Sequence, residues 1–143
     1  MKILIDDGMR IRLGTGVGLY TKYLYNTLGE FVDVDLHQYN PSVKNRKFGR
    51  LMYLMNINSP SFKRECSQYD CVHFAGQFLP RFRTKKTKYV ATVHDLVSFI
   101  HPETMTGLTS FLSRRKISRI MRDADAVFTV SESVKNEMEV SAQ

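Results

Sequence analysis

The chain has 143 residues, 43% hydrophobic and 24% charged, which suits one compact domain and excludes a disordered, collagen-like or two-domain organisation. Lysine and arginine outnumber aspartate and glutamate by 21 to 14, a formal charge of +7, so phosphate groups, nucleic acid and an anionic membrane surface are the partners that charge admits. Charge alone does not choose among them.

Met1 runs straight into "KILI" (2–5), a short apolar strand followed by Asp6 and Asp7. That start lacks the apolar core and cleavage site of a secretory signal, and no apolar run reaches the roughly 20 residues that span a bilayer. The expected location is therefore cytoplasmic, with peripheral contact to the inner face of the membrane left open. Residues 14–21 read "GTGVGLYT" and border a helix expected over Val17–Gly29, with Leu19, Tyr20, Tyr23, Leu24 and Leu28 near one face and Gly29 at its end.

A second strand is expected at "VDVDLHQY" (32–39). The segment Pro41–Arg64 is less regular, and "KNRKFGRLMYLM" within it mixes four cations with Phe48, Leu51, Met52, Tyr53, Leu54 and Met55. Such a helix either lies on an anionic membrane or packs its apolar residues on a sheet; the second reading is preferred, since most amphipathic helices of soluble proteins face their own core.

Further strands follow at "DCVHFA" (70–75), "YVATV" (89–93) and "AVFTV" (126–130). His73 and Gln77 fall at or just beyond the end of the first, and His94 and Asp95 of "TVHDL" end the second. Between them the basic cluster "PRFRTKKTKY" (80–89) is either a phosphate-binding loop or a solvated one. A long helix is expected over 106–122, with Leu108, Phe111, Leu112, Ile117, Ile120 and Met121 as its apolar stripe, and another begins at Ser131, whose hydroxyl can cap the first turn, with Glu132 favourably placed for the helix dipole. Cys66 and Cys71 have no zinc-ligand spacing around them and read as reduced thiols.

Strands alternating with helical segments predict a Rossmann-like, doubly wound α/β fold with a mainly parallel sheet. The glycine stretch matches neither common nucleotide motif. A dinucleotide fingerprint would put its third glycine at Leu19 or Thr21, and no Gly-Lys-Ser/Thr of a P-loop is present. What remains is a helix start whose backbone amides can take an anionic group, or simply a flexible loop. His94 and Asp95 stand at the carboxyl end of a parallel strand, where doubly wound sheets place their ligands; a histidine there can exchange hydrogen bonds near neutral pH, though an isolated one is more often structural.

Read in order, "GTGVGLYTKYLYNTL", "YDCVHFAGQFLP", "YVATVHDLVSFIHPE" and "RRKISRIMRDADAVFTVSE" resemble the N-terminal domain of the retaining GT-B glycosyltransferases of family 4, the glycosyltransferase group 1 superfamily. The resemblance covers nearly the whole chain. It implies one half of a two-domain enzyme in which the N-terminal Rossmann-like domain mostly holds the acceptor and the C-terminal one most of a nucleotide-sugar. On that basis Gly16 and Gly18 would lie beside the donor diphosphate and His94 would approach the sugar. Asp95 matches the motif; His73, Gln77, Arg81 and Arg83 are acceptor-side candidates. The resemblance implies a nucleotide-sugar as substrate, a glycan or lipid acceptor, no cofactor, no metal and no nucleic acid.

Family members continue beyond the segment that ends here at Gln143. The expectation is a single domain over 1–143, incomplete at its C-terminus and poorly active without a donor-binding half, whether that half is missing or is a separate subunit. The alternatives are a non-catalytic binding or assembly module, which would self-associate or hold a partner through an open sheet edge, and a nicotinamide-dependent enzyme, which the failed fingerprint disfavours.

Overall fold

The computed structural model describes residues 1–9, 15–39 and 46–141. Gly14, residues 10–13 before it, and residues 41–45 of the irregular segment lie outside the described residues. In chain order the elements are β1 (Lys2–Met9), α1 (Gly16–Gly29), β2 (Asp33–Tyr39), α2 (Arg46–Ile57), α3 (Pro60–Cys66), β3 (Cys71–Phe74), β4 (Lys88–Val93), α4 (Val97–Ile100), α5 (Gly107–Asp123), β5 (Ala126–Thr129) and α6 (Glu132–Ser141). Every strand expected from a β-branched or aromatic run forms.

The strands make one parallel sheet in the order β2-β1-β3-β4-β5. From β1 the chain winds outward to β2, then returns past β1 to β3 and continues to β5. Right-handed crossovers in opposite directions put α1 on one face and α2 to α5 on the other. The fold is thus the expected doubly wound α/β type, with its reversal between β1 and β3.

Strand alternation divides the core accordingly. Leu4, Val72, Phe74, Tyr89, Ala91 and Val93 face α2, α3 and α5, where they meet Tyr53, Ile57, Phe62, Ile117 and Ile120. Ile3, Ile5 and Ala75 face α1 and meet Tyr20, Leu24 and Leu28. Helix starts follow their caps: Thr15, Ser59, Thr106 and Ser131 each accept a hydrogen bond from the amide three residues on. Cys66 and Cys71 are free thiols, as expected.

Three expectations are corrected. No helix links β3 to β4; residues 75–87 cross over as an extended loop that buries Phe78, Leu79 and Pro80. On α1 the inward ridge is Tyr20, Leu24 and Leu28 at i, i+4 and i+8, so Leu19 and Tyr23 are exposed. On α5 only the second half of the stripe, Ile117, Ile120 and the partly buried Met121, reaches the core, while Leu108, Phe111 and Leu112 face solvent. On helix α2, Tyr53 and Ile57 pack on the sheet, as the preferred reading had it, while Phe48, Leu51 and Met55 are exposed. No helix of the described residues is long and apolar enough to cross a membrane.

Candidate functional site

Where a doubly wound sheet reverses, the loops leaving its strand ends part and form a crevice at the carboxyl edge. Here that edge gathers the ends of β1, β3 and β4 and the N-terminus of α1. His94 follows the last residue of β4, and its Nε2–H donates to the carbonyl oxygen of Ala75 at 2.7 Å. That bond fixes the ring's orientation and, in the neutral ring, leaves Nδ1 as the nitrogen that carries the lone pair. The Tyr20 ring of α1 meets the imidazole edge-on, centroids 5.2 Å apart.

Beneath His94 lies a polar chain. Thr92, two residues back on the same side of β4, is fully buried, and its hydroxyl joins the Tyr20 hydroxyl at 2.9 Å and His73 Nε2 at 2.7 Å. His73 is buried and stacked on Phe128 of β5. Burial, reinforced by nearby His94, pushes its imidazole down to about 4, so His73 is neutral at physiological pH. The chain anchors α1 to β3 and β4, and so sets where the N-terminus of α1 sits relative to His94.

Gly16 lies four residues before Tyr20, hence on the same side of α1 and about 6 Å further along its axis toward the carboxyl edge. A Cβ built on Gly16 would meet nothing within 4 Å, so the protein's own described packing does not require glycine there. Gly18 differs, because its amide already donates to Thr15 Oγ1 at 3.3 Å. Around the α-carbon of Gly16 there is open space for an approaching group.

Gln77 takes a left-handed backbone conformation, with φ of 60°, immediately beyond β3. Its carboxamide oxygen accepts from the amides of His94 at 2.7 Å and Asp95 at 3.1 Å. The residue expected on the acceptor side therefore clamps the turn that carries His94, and a sparsely populated φ is the cost of that clamp. Asp95 is exposed, and its Oδ1 accepts from the amide of Val97 at 3.4 Å, a local turn that starts α4.

Arg81 and Arg83 are not brought to this edge. Arg83 bonds to the carboxylate of Asp125 and the carbonyl of Asp123, at the start of β5, and the Arg81 amide donates to Asn58 Oδ1 at 2.7 Å. Both belong to the end of the crossover that descends toward the amino edge. A depression of about 410 Å³ lined by Pro60, Lys63, Arg64, Ser67 and Thr84 opens at that same amino edge, opposite His94.

Asp6, within the second half of β1, entered the sequence reading only as a polar residue behind the first strand. It is fully buried, and its Oδ2 accepts the hydroxyl proton of Tyr53 from α2. Its Oδ1 has no hydrogen-bond partner among the described residues. Burial pushes this carboxyl up to about 6, against the pull of the Tyr53 hydroxyl and of His37. Thr92 and Tyr20 were legible in part, since period two places Thr92 beside His94 and a four-residue step places Tyr20 below Gly16; Asp6 gave no such signal.

No curated protein matches the chain. The family model of Glycosyltransferase Family 4 matches residues 13–140, nearly the whole chain. The matched span takes in the α1 start, the histidine turn after β4 and both faces of the parallel sheet, the same ordered segments on which the resemblance was read, and the chain belongs to Glycosyltransferase Family 4.

Proposed function

We propose that this chain is the acceptor-side domain of a glycosyltransferase that moves a sugar from a nucleotide-sugar to a glycan, lipid or other acceptor, with retention of anomeric configuration. The observation that carries the reading is the juxtaposition of His94, its Nε2 committed to Ala75, with the glycine-bordered N-terminus of α1. In this proposal the donor diphosphate approaches the first amides of α1 beside Gly16, where the helix dipole favours negative charge. The absence of a side chain at Gly16 permits that approach.

His94, its Nε2–H donating to Ala75, then offers its other ring nitrogen to a hydroxyl of the donor sugar and holds it over the reaction centre. Gln77 keeps the backbone of His94 and Asp95 in place, and the Tyr20–Thr92–His73 chain keeps α1 in register with β4. As the glycosidic bond to the leaving phosphate breaks, charge builds on the phosphate oxygens, and donors preorganised around them lower the barrier. Part of that set comes from α1; the rest would come from a donor-binding half, as a further domain or a separate subunit, without which transfer would be poor.

The test is sugar transfer by the chain combined with such a half. His94→Ala should lower kcat by about a hundredfold, the order expected when a contact that positions the substrate is lost, while leaving far-UV circular dichroism unchanged. Undiminished transfer by the variant would remove His94 from the site.

A further inference from the structure

Helices α2 and α5 lie on the same face of the sheet, and each carries a second apolar stripe pointing straight out from the core. On α2 the inward residues are Tyr53 and Ile57; on the opposite side Leu51 is 52% exposed and Met55 61%, with Phe48 beside them. On α5 the inward residues are Ile117 and Ile120; opposite them Leu108, Phe111 and Leu112 are 71%, 58% and 55% exposed. Scattered exposed apolar residues are ordinary, but helical stripes on neighbouring helices form a patch.

The two helices meet over one ring. Arg50 of α2 lies 5.6 Å from the centroid of Phe78, and Lys116 of α5 lies 5.0 Å from it. The seam between the stripes is therefore cationic, and Arg115 extends it along the outer side of α5. Neither residues 46–57 nor residues 107–122 contain an aspartate or glutamate. The basic excess of the chain is thus concentrated where its apolar surface is exposed.

We infer that the outer faces of α2 and α5 form a docking surface for an anionic lipid bilayer. Such a bilayer matches this surface, with negative charge at headgroup depth for Arg50, Lys116 and Arg115, and an apolar layer just beneath it for Leu51, Met55, Leu108, Phe111 and Leu112. A second copy of the chain is a poorer occupant, because a two-fold interface brings a patch against itself and would oppose cations to cations. The inference extends to α5 the membrane contact first read from the segment around α2, and it does not depend on the proposed chemistry at His94.

The experiment is flotation of the purified chain with vesicles of phosphatidylcholine alone and of phosphatidylcholine mixed with phosphatidylglycerol. Binding is expected only to the mixed vesicles and should weaken with added salt, since screening shortens the reach of the headgroup charge. Leu51→Glu and Leu112→Glu should each lower the partition coefficient about tenfold or more, and Arg50→Gln or Lys116→Gln about fivefold each. Leu19→Glu, at an exposed position on α1 across the sheet, should leave binding unchanged. Leu19, Arg50, Leu51 and Leu112 are exposed and Lys116 is half-buried, so circular dichroism spectra and melting temperatures should stay close to the parent's. The inference is overturned by equal binding to both vesicle types, by binding that survives the α2 and α5 substitutions, or by Leu19→Glu weakening it as much. It is also overturned if light scattering shows a dimer that Leu51→Glu and Leu112→Glu dissociate.

Discussion

Replacing Asp6 by asparagine should make stability fall more steeply between about pH 6 and 4. Two buried groups titrate in the same window with opposite sign. The Asp6 carboxyl rises from 3.8 in the unfolded chain to about 6 in the fold, so its contribution is fully present below pH 3.8 and is lost as pH rises through about 6. His73 falls from 6.5 to about 4, so its contribution is fully present above pH 6.5 and is lost as pH drops through about 4.

At 1.36 kcal/mol per pKa unit each displacement corresponds to about 3 kcal/mol, a large fraction of the stability of a small domain. In the parent protein the two slopes oppose each other and largely cancel. Asp6→Asn keeps the acceptor for Tyr53 and removes the charge, so it should raise stability above pH 6 by up to about 3 kcal/mol and expose the His73 slope beneath. His73→Asn should do the reverse, adding a loss of stability as pH rises from about 4 to 6, and the double variant should return close to the parent's slope. Urea unfolding followed by circular dichroism across this range reads all four proteins. An Asp6→Asn profile parallel to the parent's would show that the buried carboxyl does not carry the effect assigned to it.

Other consequences follow from single contacts. Tyr53→Phe removes the hydroxyl that donates to Asp6 and should cost about 1–3 kcal/mol at neutral pH, an effect that shrinks in acid as Asp6 takes up a proton; a cost independent of pH would argue against the pairing. Thr92→Val keeps the shape of the buried side chain but breaks the link between Tyr20 and His73, so melting should fall by an amount equivalent to about 1–2 kcal/mol and α1 amides should exchange faster; unchanged exchange would mean that the link does not hold α1. Gln77→Ala loses the clamp on the amides of His94 and Asp95 and retains the left-handed backbone, whereas Gln77→Gly loses only the clamp, so the glycine variant should be the more stable by about 1 kcal/mol. Equal stabilities would mean the left-handed conformation had been abandoned.

Much of this architecture was legible because the local signals agree. Short β-branched runs bounded by turn residues gave all five strands, and Ser131 marked a helix start that the structure caps as expected. Helix faces were less legible. When apolar residues occupy two sides of a helix, as on α2, periodicity establishes amphipathicity without saying which stripe meets the sheet; only the register of β1, β3 and β4 beneath decides that Tyr53 goes in and Leu51 stays out.

The burial within the crossover after β3 was missed for a related reason. Phe78, Leu79 and Phe82 bury themselves from an extended chain, so burial there leaves no helical period to read. At the site, His94 and Gly16 could be singled out from their places at a strand end and a helix start. The contacts of Gln77 could not, since its bonds reach across 17 residues to the turn at His94, and Asp6 meets Tyr53 across 47. Arg83 looked like a ligand for phosphate only while Asp125, its partner at the start of β5, was unknown.

Gly16→Ala tests the central claim most directly. The position is the first of a helix and open around its α-carbon, so alanine should be tolerated or should stabilise by up to about 1 kcal/mol. If a donor diphosphate seats against the start of α1 beside His94, an amide NMR titration of the parent with a nucleoside diphosphate should shift the signals of Gly16 to Tyr20 and of His94 to Leu96. The folded Gly16→Ala protein should then show those shifts weakened about tenfold or more in apparent affinity, because the added methyl occupies the line of approach. Shifts confined to another part of the sheet, or an affinity that the alanine leaves intact, would contradict the account.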